Sequence, residues 1–129
     1  MILRSMETSE RWIVDGMNVI GSKPDGWWRD RPAAMRAFAE QLGEWAEGRD
    51  VTVVFDGRPF EVSVDGVRVE FATRRGPNAA DDDIVRLVEA SQDPSGLRVV
   101  TSDHDLGRRV RELGAEVLSS GAFRGMFGD

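Results

Sequence analysis

Three aspartates of this chain stand directly behind short apolar runs. Asp15 and Asp56 each follow such a run, and Asp103 follows a third run after one serine. Runs this short and rich in β-branched residues predict buried strands of a parallel sheet. Because ligands of such sheets bind beyond the carboxyl ends of the strands, the pattern predicts that the three carboxylates meet at one edge.

A fourth carboxylate comes from the run of three aspartates at residues 81–83, which opens a predicted helix. At about 100° per residue, Asp81 lies nearest the apolar face of this helix, and Asp82 lies on the solvated face. We therefore expect Asp81 to face the sheet. A purely local role stays open, because Asn78 and Asp81 have the spacing of a capping box and Asp103 is placed to cap the next helix.

Carboxylates gathered at one place repel one another unless protons or cations compensate their charge. Oxygen ligands without histidine or cysteine suit Mg²⁺ or Mn²⁺. The pattern therefore predicts a divalent ion bound by Asp15, Asp81 and Asp103. Such an ion can activate a water molecule, orient a phosphodiester and neutralise the leaving oxygen, so the site favours phosphodiester hydrolysis.

The elements that must position these acids alternate between strands and helices. Apolar residues at three- and four-residue spacing predict helices over residues 33–47 and 79–91, while residues 16–31 read as a turn and an irregular connection. Residues 62–71 alternate about an Asp-Gly pair, which predicts a hairpin whose second arm could also serve as an edge strand. This order predicts a three-layer α/β/α sandwich with a mainly parallel central sheet.

The composition limits the class of protein. A chain of 129 residues fits one domain, expected over residues 11–129 behind a loose extension at residues 1–10. The absence of cysteine excludes disulfides and thiolate sites, and no apolar run is long enough to span a membrane, so we expect a cytoplasmic protein. The net charge of −6 argues against a surface that wraps nucleic acid, but bound metal ions would restore positive charge locally.

Polar residues beside the acids are candidates for substrate contacts. Arg58, Arg74 and Arg75 are predicted to contact phosphates, with plain solvation as the commoner role of loop arginines. Asn18 is predicted to hold Asp15 or a water molecule, or else to make only local turn contacts. These four residues are the predicted substrate-binding set.

Two kinds of aromatic residue leave alternatives open. Trp27 and Trp28 could stack on unpaired bases, or they could cover the core. His104 is the only histidine of the chain, and its position favours a helix-start residue over a catalytic base.

The motifs around these acids resemble those of the YacP-like NYN family of PIN-like ribonucleases. The resemblance runs in order from about Trp12 to Phe127. It is carried by Val14-Asp15-Gly16-Met17-Asn18-Val19-Ile20-Gly21, by Val54-Phe55-Asp56-Gly57, by Ala80-Asp81 followed by Ile84, and by Val100-Thr101-Ser102-Asp103 leading to Gly114-Ala115 and Ser119-Ser120.

The resemblance implies a PIN-like fold and a metal-dependent site that cuts RNA. By position, the principal acids of the family match Asp15, Asp81 and Asp103, and further polar positions around the site match Asn18, Asp56 and, as a fourth acid, Asp105. One departure is the run of aspartates at residues 81–83, where family members often have a single aspartate. The resemblance therefore adds Asp56 and Asp105 to the predicted metal ligands.

Three functions are compatible with these residues. The first is a Mg²⁺- or Mn²⁺-dependent endoribonuclease acting on single-stranded or loop RNA, in which a homodimer could build the substrate groove. The second is a non-catalytic RNA-binding or ribosome-associated module that keeps the fold. The third is a phosphatase, although an aspartyl-phosphate enzyme usually has a second acid two residues after its nucleophile, and position 17 is methionine.

Overall fold

The apolar runs of the sequence become the strands of one parallel sheet in the computed structural model, which describes residues 10–76 and 78–127. Within these residues the sheet has five strands in the order β3-β2-β1-β4-β5, and every neighbouring pair is parallel. The strands are β1 Arg11–Asp15, β2 Asp50–Phe55, β3 Val67–Phe71, β4 Leu97–Val100 and β5 Glu116–Leu118. The predicted parallel sheet is confirmed.

Helices cover both faces of the sheet. In the described residues they are α1 Gly16–Gly21, α2 Arg31–Trp45, α3 Ala79–Glu89, α4 His104–Glu112 and α5 Ser120–Gly125, with short 3-10 turns at Trp27–Arg29 and Pro94–Gly96. Residues of α1, α2 and α5 share one apolar core with one face of the sheet, and residues of α3 and α4 share a second core with the other face. The three-layer architecture is therefore confirmed. None of these helices is both long and apolar enough to cross a bilayer.

The central strands are apolar throughout because they are buried on both faces. Along β1, Ile13 points into one core and Val14 into the other. The extension predicted for residues 1–10 lies outside the described residues, apart from Glu10. The carboxylate of Glu10 accepts a hydrogen bond from the indole of Trp12 and pairs with Arg49.

The predicted hairpin over residues 62–71 is confirmed only at its turn, and the alternative role of its second arm as an edge strand is confirmed. Only an isolated antiparallel bridge joins Val64 to Val67. The segment Val67–Phe71 instead runs parallel to β2 at the edge of the sheet. The ring of Phe71 packs 5.9 Å from the ring of Phe55, so this pairing joins the arm to a core that an isolated hairpin would lack.

The stretch after β1 is a helix, although a turn is predicted there. Helix α1 begins at Gly16, directly behind Asp15. A Cβ atom on Gly16 would fall 2.5 Å from the ring of Phe55. Glycine therefore lets the helix start against the sheet, which holds Asp15 at the junction of a strand and a helix.

Candidate active site

The acids meet at the point where the strand order changes direction. The chain leaves β1 for β2 and β3 on one side and returns to β4 on the other, so β1 and β4 are neighbours. Val14 is paired with Val100, which brings the next residues, Asp15 and Thr101, side by side. Ligands of parallel sheets bind in the crevice at such a switch point.

Thr101 connects two of the acids. The hydroxyl of Thr101 donates to Oδ2 of Asp15 at 2.8 Å, and Oγ1 of Thr101 accepts from the backbone N–H of Asp103 at 3.1 Å. Thr101 is only 2% exposed, so this geometry is held by the surrounding core. Thr101 is not among the predicted site residues, although a hydroxyl residue at the end of an otherwise apolar strand is a signal that could have identified it.

Asp15 is a buried acid in a negatively charged surrounding. Its residue is 5% exposed, and its Oδ1 accepts no hydrogen bond from the described residues. The pKa of Asp15 is raised to about 7, mainly by burial and in addition by the charges of Asp81, Asp56 and Asp103, while the hydrogen bond from Thr101 opposes the shift. Such a carboxylate favours a cation or a proton beside it.

Asp81 is the second buried acid of the group. It is 7% exposed, in agreement with the inward orientation that the helical period predicts, and no described residue donates a hydrogen bond to its carboxylate. The pKa of Asp81 is raised to about 6. Burial is the largest cause, the charges of Asp103 and Asp56 add to it, and the charge of Arg109 opposes it. Asp15 and Asp81 are thus both buried without an ion pair among the described residues, although they come from different elements.

The two aspartates that follow Asp81 in the sequence are neutralised by arginines. Asp82 pairs with Arg74 and with Arg109, the latter at 3.1 Å. Asp83 pairs with Arg86 at 2.7 Å and accepts from the backbone N–H of Thr73 at 3.0 Å. The side chain of Asp82 is 43% exposed, as the helical period predicts, and Arg109 of α4 reaches it at this surface.

Asp56 and Asp103 each use one carboxylate oxygen to cap a helix. Oδ1 of Asp56 accepts from the backbone N–H of Ala80 at 2.7 Å, and Oδ1 of Asp103 accepts from that of Leu106 at 3.0 Å. Asn78, the predicted cap of α3, has a φ of 59° and makes no capping hydrogen bond through its side chain. Since a carboxylate has two oxygens, Oδ2 of Asp56 and of Asp103 is left without a hydrogen bond from the described residues.

Asn18 belongs to a network that ties the end of β4 to α5. Its Oδ1 accepts from the backbone N–H of Ser102 at 2.8 Å and from the hydroxyl of Ser120 at 2.6 Å. Ser120 is fully buried. The Nδ2 amide group of Asn18 donates to no acceptor among the described residues. Ser102 and Ser120 are further residues that the sequence prediction does not include.

The remaining predicted site residues lie around this group. Asp105 is exposed and pairs with Arg108, which places it outside the buried cluster. Arg74 is engaged by Asp82. Arg58 and Arg75 are exposed at the ends of β2 and β3, with no hydrogen bond or ion pair to a described residue.

The donor set fits a hydrated Mg²⁺ or Mn²⁺ ion better than a closed metal cage. The available atoms are hard carboxylate oxygens, and those of Asp15 and Asp81 are buried with few or no hydrogen bonds. Among residues 10–76 and 78–127, however, no three side chains of His, Cys, Asp or Glu are gathered closely enough to hold one ion together. Mg²⁺ commonly takes only one or two carboxylates and completes its shell with water and substrate phosphate.

The parallel α/β sheet, with aspartates from separate elements at its switch point, agrees with the PIN-like, nuclease-related class that the sequence motifs resemble. The model of the YacP-like NYN domain matches residues 12–128, and the chain belongs to this family. The crystal structure of Rae1 (YacP) from Bacillus subtilis is 25% identical, has a TM-score of 0.74, and covers 92% of this chain and 74% of its own. A crystallised mutant of that protein gives 25% identity, a TM-score of 0.76, and 92% and 75% coverage. No curated protein matches the chain.

Proposed function

We propose that this protein is a metal-dependent ribonuclease that hydrolyses RNA phosphodiester bonds, with Asp15, Asp81 and Asp103 as the ligands of Mg²⁺ or Mn²⁺. The observation that carries the proposal is a pair of buried carboxylates, Asp15 of β1 and Asp81 of α3, neither of which has a cationic side chain of the described residues within ion-pair distance. Membership of a nuclease-related family supports the same conclusion. Asp56 is proposed as an additional ligand that acts through water, because one of its oxygens is used by α3.

A bound divalent ion would supply polarisation of the attacking water and neutralisation of the leaving oxygen. The chain itself supplies orientation. Thr101 fixes the carboxylate of Asp15 by its hydrogen bond, and the cap of α4 fixes that of Asp103. Arg58 and Arg75 are proposed to contact phosphates of the strand, since no carboxylate of the described residues neutralises either of them.

Single-stranded RNA is the substrate that an exposed aromatic side chain of this protein favours. Trp28 is 52% exposed, and the guanidinium of Arg29 lies 6.0 Å from the centre of its ring. Trp27, by contrast, is half-buried and packs against the core. An exposed tryptophan next to an arginine is suited to stacking on an unpaired base. A base inside a duplex does not expose its face for such stacking.

The test is cleavage of a labelled single-stranded RNA by the purified protein in Mn²⁺, in Mg²⁺ and in EDTA. We expect cleavage only with a metal ion, and a loss of at least ~100-fold in Asp15→Asn, in line with the loss of one preorganised electrostatic group. Asp93→Asn, at the opposite end of the sheet, is the matched control and should retain cleavage. Absence of activity in every metal, or equal activity of Asp15→Asn purified in the same way, would overturn the proposal.

A non-catalytic RNA-binding module is the second candidate. It is favoured by one observation, namely that no three acidic or histidine side chains of the described residues are gathered around a single ion position. Binding of RNA that is unchanged by EDTA, together with no turnover in any metal, would support this candidate over the first.

A further inference from the structure

A polar cavity adjoins the acids on the side of β5. It has a volume of about 230 Å³ and shares Thr101 and Asp103 with the acid site. Most of its other lining residues carry hydrogen-bond donors, namely Ser102, His104, Arg111 and Ser119. A strand of RNA that crosses the acids would continue into this cavity or into the space on the opposite side.

Arg111 gives the cavity a positive charge that no carboxylate of the described residues neutralises. The two other arginines near it on α4, Arg108 and Arg109, are both paired with carboxylates. Nη1 of Arg111 lies 3.6 Å from the position that a Cβ atom on Gly107 would occupy. The guanidinium therefore folds back along the helix, over the glycine, to line the cavity.

Two serine hydroxyls that line the cavity are available as donors. Oγ of Ser102 accepts from the backbone N–H of Ser120 at 2.9 Å, and Oγ of Ser119 accepts from that of Ala122 at 3.1 Å. Each oxygen is thus held by one accepted bond, while its own O–H remains free to donate. Two hydroxyl donors and a guanidinium together match a group that is negatively charged and only accepts hydrogen bonds.

We propose that this cavity binds a phosphate of the RNA strand that flanks the cleaved one, with Arg111 as the cationic contact and the hydroxyls of Ser102 and Ser119 as donors. The proposal rests on the proposed ribonuclease function and adds to it a second point of contact with substrate. RNA phosphates are acceptor-only anions at regular intervals, so one strand can reach both the acids and Arg111.

The opposite flank of the acids has a corresponding arrangement. A cavity of about 330 Å³ beside Asp56 is lined by Arg31 and Arg58, and neither guanidinium pairs with a carboxylate of the described residues. The acids therefore lie between Arg111 on one flank and Arg31 and Arg58 on the other, and no carboxylate of the described residues pairs with any of the three. This distribution favours one continuous polyanion across the edge over an isolated phosphate at either end.

The test measures binding without cleavage. A fluorescently labelled single-stranded RNA is titrated with Asp15→Asn protein in Mg²⁺, at several salt concentrations, with and without Arg111→Ala. We expect Arg111→Ala to weaken binding by roughly 5- to 10-fold and to reduce the slope of log K against log salt by ~0.7, the value for one phosphate contact on a single strand. Arg108→Ala, on the same helix, should change binding by less than twofold.

A methylphosphonate introduced at one RNA linkage at a time locates the contact. At one linkage the neutral group should weaken binding to the protein that retains Arg111 and have no further effect on Arg111→Ala, because the partner of the charge is already absent. Arg111→Lys should recover part of the affinity. Equal losses in Arg111→Ala and Arg108→Ala, no linkage with this coupling, or no RNA binding at all would overturn the subsite. Failure of wild-type protein to cleave RNA would overturn the proposed enzyme and leave the subsite standing.

Discussion

The two ends of the parallel sheet carry the same types of charged residue, but they differ in how far these residues form ion pairs. At the amino end, acids and arginines are paired with each other. The pairs are Glu10 with Arg49 at 3.0 Å and with Arg98 at 3.6 Å, Arg98 with Glu116 at 3.5 Å, Arg68 with Asp50 at 3.9 Å, and Arg11 with Asp93 at 4.0 Å. This end is neutralised locally, and most of its pairs are exposed.

At the carboxyl end, Asp82, Asp83 and Asp105 are also paired with arginines, but other charged side chains are not. Asp15 and Asp81 are buried without an ion pair, and Arg31, Arg58 and Arg111 have no carboxylate partner among the described residues. Carboxylates that repel one another in a buried site destabilise the fold, so this arrangement costs stability that the amino end does not lose. The difference indicates that the carboxyl end is built for ligands that bring the missing charges, a cation for the acids and an anion for the arginines.

The largest expected effect is on RNA cleavage, when single aspartates of residues 81–83 are replaced by asparagine. Asp81→Asn should reduce metal-dependent RNA cleavage by at least ~100-fold, because it removes the unpaired carboxylate. Asp83→Asn should keep cleavage within about threefold, because Asp83 is neutralised by Arg86 and bonded to Thr73. Initial rates in Mn²⁺ compare the two variants. Similar losses in both would mean that the distinction between paired and unpaired acids has no bearing on catalysis.

A smaller effect is expected on stability in the absence of metal. The pKa of Asp15 is about 7 in the folded protein against an ordinary 3.8, mainly through burial and also through the charges of Asp81, Asp56 and Asp103. Between these pH values the folded chain binds the proton more tightly than the unfolded chain, so the contribution of Asp15 to stability falls as pH rises from about 4 to about 7.

Asp15→Asn should therefore stabilise the metal-free protein at pH 8 by on the order of 2 kcal/mol and have little effect near pH 4. Urea unfolding in EDTA at pH 5, 6.5 and 8 measures the difference from wild type. Asp93→Asn, which removes an exposed acid, is the control and should show no such trend. A difference that shrinks as pH rises would contradict the burial of an unneutralised Asp15.

The smallest effect belongs to the amino end. Arg68→Ala removes the exposed pair with Asp50 and a hydrogen bond to Thr52, and should lower the free energy of unfolding by no more than about 1 kcal/mol. RNA cleavage should stay at the wild-type rate. Urea unfolding and initial rates measure both quantities. A loss of cleavage without a loss of folding would show that the amino end also takes part in function.

Local pattern is enough to predict the strands and the inward orientation of Asp81, because burial on both faces gives a continuous apolar run and burial on one face imposes a period. The partner of a strand is not local information. Residues 62–71 carry a hairpin pattern, and the second arm joins β2 because the core offers it more apolar contact. The helix at Gly16 is missed for a similar reason, since only the packing of Gly16 against Phe55 explains it.

The candidate site shows the same division. The acids at strand ends are predicted from the sequence because their positions follow from the strands. The cap of α3 by Asp56 joins residues 24 positions apart, and the hydrogen bond from Thr101 to Asp15 joins residues 86 positions apart. Such contacts depend on the order of strands in the sheet, so they cannot be predicted from local spacing in the sequence.

Anomalous diffraction at the manganese edge, from a crystal of the wild-type protein soaked in Mn²⁺, tests the central claim most directly. We expect a manganese peak in contact with the carboxylates of Asp15 and Asp81, on the side of Asp103, and no such peak in crystals of Asp15→Asn. Manganese bound only at other acids, such as the exposed Asp105, would contradict this expectation. The same contradiction would follow from an empty position beside Asp15 at a Mn²⁺ concentration that supports RNA cleavage.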